Sequence, residues 1–109
     1  MKRYCLAVDL KDDEELIQEY IRLHKQVSPE IKESITNAGI TGMDIFRTGT
    51  RMFMIMETND DFSFETKNAM DAANPLVQEW ENRVWKYQQA LPHAKPGEKW
   101  VLMDQIFEL

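Results

Sequence analysis

Residues 40–48 and 51–58 read as two strands joined at Gly49-Thr50, and this hairpin restricts the fold more than any other stretch of the chain. A two-residue connection with a leading glycine suits a type II′ turn, whose positive first φ is open to glycine and whose twist matches that of paired strands. So short a link can join only antiparallel neighbours, which excludes a wholly parallel sheet. In the second strand Met52, Met54 and Met56 alternate with Phe53, Ile55 and Glu57. That period of two directs the methionines to one face, as core rather than as a pliable binding surface.

Other elements fall around the hairpin. Residues 2–9 are apolar with aromatic and β-branched members, and Lys11-Asp12-Asp13 ends them with helix-capping chemistry, giving a first strand. A helix follows through His24. Ser28 as cap and Pro29 at the first helical position start a second amphipathic helix carrying Ile31, Ile35 and Ala38, which Gly39 ends. Phe62 to Ala72 and Pro75 to Leu91 form a second helical stretch, broken at Ala73-Asn74-Pro75, and Trp100 to Phe107 read as a last strand. The order β-α-β-β-α-β is that of an α+β, ferredoxin-like sandwich with helices on one face of an antiparallel sheet. Such a sheet leaves one face uncovered, so a homodimer built sheet to sheet is expected.

At 109 residues the chain has the length of one domain, here residues 1–109. Thirteen basic against 19 acidic residues give a net charge of −6, and no basic run marks a face for phosphates, so nucleic acid is not an expected partner. Cys5 is the only cysteine and lies in an apolar run, an inert thiol suited to a reducing compartment. The N-terminal apolar run is shorter than the core of a secretory signal, and no segment is long enough to span a bilayer. A soluble, cytoplasmic protein without a membrane partner is expected.

The chemistry concentrates on the first helix. Tyr20 and His24 stand four residues apart, so on a helix a phenol and an imidazole share one face. At about 100° per residue, Leu16, Ile17, Tyr20, Ile21, Leu23 and His24 fall in one arc. His24 is then either a satisfied core histidine, the commoner case, or a group placed to move protons near neutral pH. Farther on, Leu76, Val77, Val84, Tyr87 and Leu91 share a side with Trp80, whereas Trp85 points about 140° away. Trp85 either packs under a loop or subunit contact, or offers its ring to the C–H surface of a sugar.

These residues resemble a known family. Glu19-Tyr20 with His24, then Pro29-Glu30, then Arg83-Val84-Trp85-Lys86-Tyr87, then Ile106-Phe107-Glu108-Leu109 look like the L-rhamnose mutarotases, in the same order along essentially the whole chain. The resemblance implies a small cytoplasmic dimer of the dimeric α+β barrel type that interconverts the α and β anomers of a deoxyhexose without a cofactor or metal. It implies that His24 is the catalytic proton donor and that Tyr20 contacts the sugar. The paired tryptophans of the family motif fall on Val84 and Trp85, and a substrate-binding tyrosine falls on Met43. These departures bear on sugar identity, so L-fucose stands beside L-rhamnose as substrate.

Mutarotation needs a positioned acid and base, which supply typically ~10²–10⁴-fold. His24 fits the acid, while the base stays open, with Asp104 and Glu57 as candidate carboxylates. Two other classes stay open as well: a small monooxygenase or haem-linked enzyme of the same fold with His24 as axial ligand, and a non-catalytic sugar-binding module. His93 is the only other histidine and follows Pro92 in a loop, so a metal site is poorly supported.

Overall fold

The computed structural model describes residues 1–109. Strand β1 spans Lys2–Leu10, helix α1 Glu14–His24, α2 Pro29–Asn37, β2 Ile40–Thr48, β3 Arg51–Thr58, α3 Phe64–Ala72, α4 Pro75–Trp85, β4 Gln88–Gln89 and β5 Val101–Leu102. The order along the sheet is β2-β3-β1-β4, all antiparallel, with β5 also on β1. This is the expected ferredoxin-like α+β arrangement, each helical layer being split into two short helices.

Local chemistry explains each boundary. Asp13, Ser28, Ser63 and Asn74 cap the four helices, each side chain accepting from a first-turn N–H. Pro29 and Pro75 occupy the first turn, where a missing N–H costs nothing. The hairpin turns at Gly49 with φ +56° while no other residue type in the chain has positive φ, the sign pattern of a type II′ turn.

Two expectations need correction. The second helical stretch does not reach Leu91 but stops at Trp85, because the Tyr87 carbonyl accepts from Lys11 N–H at 2.9 Å and draws the chain onto β1. Gln88 and Gln89 then pair with Leu10 and Asp9. Tyr87 and Leu91 are therefore not part of the α4 stripe. The last strand is also far shorter than 100–107: Val101 and Leu102 pair with Ala7 and Leu6, Met103 N–H bonds the Cys5 carbonyl at 2.8 Å, and pairing ends. Ile106, Phe107 and Leu109 are exposed, so beyond Met103 no apolar burial offsets the entropy of ordering the backbone.

The core lies between sheet and helices in two clusters. Val8, Leu10 and Met52 meet Ile17, Tyr20 and Val84 in one, and Leu6, Met54 and Met56 meet Ile40 and Phe62 in the other, with Trp100 touching both. The three methionines thus face the core as their alternation requires. Strand parity sends Cys5, Ala7, Phe46, Phe53, Ile55 and Val101 to the opposite sheet face, which no helix residue of either cluster covers. Phe46 there is 57% exposed.

Candidate functional site

The pair singled out on α1 comes together at the end of the first core cluster. The Tyr20 and His24 rings lie 4.3 Å apart, tilted by 36°, and the edge of Trp80 from α4 meets the imidazole at 5.4 Å. Tyr20 is only 4% exposed, whereas His24 is half-buried. A helix that places aromatic rings at i and i+4 stacks them by geometry alone, and α4 crosses at the level where Trp80 closes the third side.

Hydrogen bonds fix the protonation pattern. His24 Nδ1 lies 2.9 Å from the Tyr20 carbonyl oxygen. A carbonyl only accepts, so Nδ1 carries a hydrogen, and in the neutral ring Nε2 holds the free lone pair. Burial pushes the imidazole pKa below its ordinary 6.5, partly opposed by that same bond. At neutral pH His24 is therefore an uncharged acceptor. The Tyr20 phenol is pushed up to about 12, chiefly by burial, while Gln88 acts the other way by donating Nε2–H to the phenol oxygen at 3.0 Å. Tyr20 stays protonated at any physiological pH.

Two adjoining clefts open on the helix side. One, of about 460 Å³, runs between α1 and α4 past Glu19, Arg22, Leu23, Trp80, Arg83 and Tyr87. The other, of about 340 Å³, continues from Gln26, Trp80 and Arg83 toward Ser28, Ile31 and Leu76. Both volumes suit a small ligand. Trp80 is common to the two and is also the ring touching His24.

Of the other residues proposed from sequence, Val84 and Trp85 join the Tyr20 cluster and Met43 lies apart. Val84 is buried in the Tyr20 cluster, and Trp85 packs against that cluster while Lys99 Nζ sits 5.4 Å from its ring centre. Met43 packs against the second cluster, with Met54, Met56 and Phe62. None of His24, Tyr20, Met43, Val84 and Trp85 lines either cleft; Trp80 is the link between the clefts and the imidazole. Trp80 and Gln88 are partners that the sequence does not single out: the helical stripe places Trp80 with the core, and the helix expected to run to Leu91 encloses Gln88. Leu76, placed in that stripe, is 51% exposed.

A helix-covered antiparallel sheet of this order is the ferredoxin-like α+β architecture, and it holds the His24 imidazole between two aromatic rings. The chain belongs to the L-rhamnose mutarotase family, whose model it matches over residues 3–109. An L-fucose mutarotase of Xanthomonas campestris pv. campestris is 43% identical over 111 positions, covering 100% of this chain and 89% of the relative. A UPF0734 protein of Dictyostelium discoideum is 38% identical over 99% of the chain and 90% of its own length. Among solved structures, the L-rhamnose mutarotase of Formosa agariphila superposes with a TM-score of 0.73 at 19% identity, covering 100% of this chain and 99% of that one. Tetracenomycin F2 cyclase of Streptomyces glaucescens gives 0.61 at 18% identity, over 100% and 97% of the two chains. At such identities the structures speak for the fold alone.

Proposed function

We propose that the protein is an aldose mutarotase that interconverts the α and β anomers of a 6-deoxyhexose, L-fucose in the first place, with His24 carrying the proton. The reading is carried by one observation: His24 Nδ1–H is tied to the Tyr20 carbonyl, which leaves Nε2 as a fixed, uncharged acceptor. The preference for L-fucose is supported by the 43%-identical relative named for that sugar; the description of the family model favours L-rhamnose as the second reading. Tyr20, with Val84 and Trp85 in or against its cluster, and Met43 beside the second cluster are proposed as sugar contacts on the strength of the family resemblance, Val84 and Met43 standing where the family carries larger aromatics.

In this scheme neutral His24 takes the proton of the anomeric hydroxyl as the bond from C1 to the ring oxygen breaks, while solvent water gives the ring oxygen a proton and is left as hydroxide. The open aldehyde turns about C1–C2. The former ring hydroxyl then attacks the other carbonyl face, losing its proton to that hydroxide as the imidazolium returns one to the carbonyl oxygen. His24 thus acts as donor in the closing half, and protons balance over the cycle. Saturation-transfer NMR on L-fucose and L-rhamnose tests this, and exchange no faster than in buffer for either sugar would reject it.

The buried imidazole sets the pH dependence. The active form is unprotonated, so exchange above the buffer background should be constant above about pH 7 and fall as pH drops through a midpoint below 6.5. A rate that instead rises toward acid would make imidazolium the starting form.

A homodimer is part of the proposal, as is a soluble, cytoplasmic setting; no helix is long and apolar enough to cross a membrane. The dimer is supported by the uncovered sheet face, where Phe46 is mostly exposed beside Phe53 and Ile55. Light scattering should give about twice the chain's 12.9 kDa, and Phe46→Lys should shift the mass toward monomer. A monomeric wild type at micromolar concentration contradicts it.

A further inference from the structure

Gln88 is the one buried amide side chain that reaches the site, at 4% exposure, and its Nε2–H donates to the Tyr20 hydroxyl. Its backbone is held firmly. Gln88 pairs with Leu10 on β1, Tyr87 N–H bonds the Val84 carbonyl at 3.0 Å, and the Tyr87 carbonyl accepts from Lys11 at 2.9 Å. From that fixed point Nε2–H donates to the Tyr20 oxygen, 68 residues away in sequence. The Tyr20 ring in turn lies against the His24 ring, and the His24 Nδ1–H bonds the Tyr20 carbonyl. Sheet, phenol and imidazole therefore form one connected series.

We infer that Gln88 is a positioning residue for the anomer exchange: by donating to the Tyr20 oxygen it fixes the phenol beneath His24 and leaves the phenol's own O–H free to donate a hydrogen bond to the sugar. A phenol oxygen accepts one hydrogen bond in its plane while its hydrogen points elsewhere, so a donor partner fills the acceptor side and keeps the hydrogen available. An acceptor partner would do the opposite and take up that hydrogen. In the opening half of the reaction the ring oxygen needs a hydrogen-bond donor while His24 Nε2 accepts, and a phenol that remains protonated supplies one without itself having to ionise. A buried amide that served only to satisfy a buried hydroxyl would be indifferent to the direction of the bond.

This rests on the mutarotase reading, so wild-type exchange of L-fucose or L-rhamnose anomers is measured first; its absence would remove that reading and not this one in particular. Given wild-type activity, kcat and KM are compared for Gln88→Met, Gln88→Glu, Tyr20→Phe and the double variant Gln88→Met with Tyr20→Phe, each confirmed folded by its melting curve. Gln88→Met keeps the side-chain length and loses the donor, and kcat is expected to fall about tenfold with KM changed less than about twofold. Gln88→Glu restores a partner that accepts from the phenol, and kcat is expected to fall at least as far. In the Tyr20→Phe background Gln88→Met is expected to add no further loss, since the group it acts on is gone. Wild-type kcat in Gln88→Glu, or independent losses that multiply in the double variant, would overturn the inference. A rise in KM at unchanged kcat in Gln88→Met would overturn it as well.

Discussion

Replacing His24 with Ala is expected to lower enzyme-catalysed anomer exchange by about 10²–10⁴-fold, to the background of the buffer, while the protein stays folded. The loss should be this large because Nε2 is the one group at the site that is both an uncharged acceptor at neutral pH and held in a fixed orientation. Neither of the carboxylates that the sequence offers as base stands in for it: Asp104 lies in the exposed tail and Glu57 on the sheet face away from the helices. The fold should persist because His24 is half-buried at a helix end, outside the six-residue buried cluster that Tyr20 belongs to. His24→Gln provides the control, since it keeps a polar side chain at the position but cannot shuttle a proton. Exchange spectroscopy on the purified variants, with a melting curve for each, decides the matter; wild-type exchange in His24→Ala would remove the imidazole from the mechanism.

Much of this arrangement was legible from residues alone, and the parts that were not share a physical cause. Spacing of four and an apolar arc placed Tyr20 and His24 together, and cap residues such as Ser28 with Pro29 located helix starts, because both signals are local in sequence. The end of α4 was not local. Nothing within Trp85-Lys86-Tyr87-Gln88 stops a helix; what stops it is the Lys11 N–H taking the Tyr87 carbonyl from across the sheet. The Gln88 amide's contact with Tyr20 is invisible in sequence for the same reason, since it depends on β4 lying beside Leu10. The final strand failed for the mirror reason. Trp100 to Phe107 has strand composition, but only Val101 and Leu102 pair with β1. Composition states what a segment tolerates, and pairing requires that the neighbour return buried area.

Trp80→Ala should be the most destabilising single change at the site, and it should also lower kcat. The ring packs against the cluster of Val8, Leu10, Ile17, Tyr20, Met52 and Val84 and closes one side of His24 at 5.4 Å. Truncating a packed tryptophan costs about 3–5 kcal/mol, and the lower end applies here because Trp80 is only half-buried. For a domain near 100 residues that corresponds to a fall in melting temperature on the order of 10–20 °C. The activity loss has a separate origin: without the indole edge the imidazole can rotate away from its bond to the Tyr20 carbonyl, so kcat falls for those molecules that remain folded. Trp85→Ala makes the contrast. Its ring also rests on the cluster, under Lys99, but the Tyr20 and Trp80 rings that flank His24 stay in place. Its effect on catalysis should therefore appear in KM, through lost contact with the sugar, with kcat nearly kept. Measured at a temperature where both variants are fully folded, Trp80→Ala with undiminished kcat would show that the indole only fills space. A fall in kcat at constant KM for Trp85→Ala would move the sugar contact elsewhere.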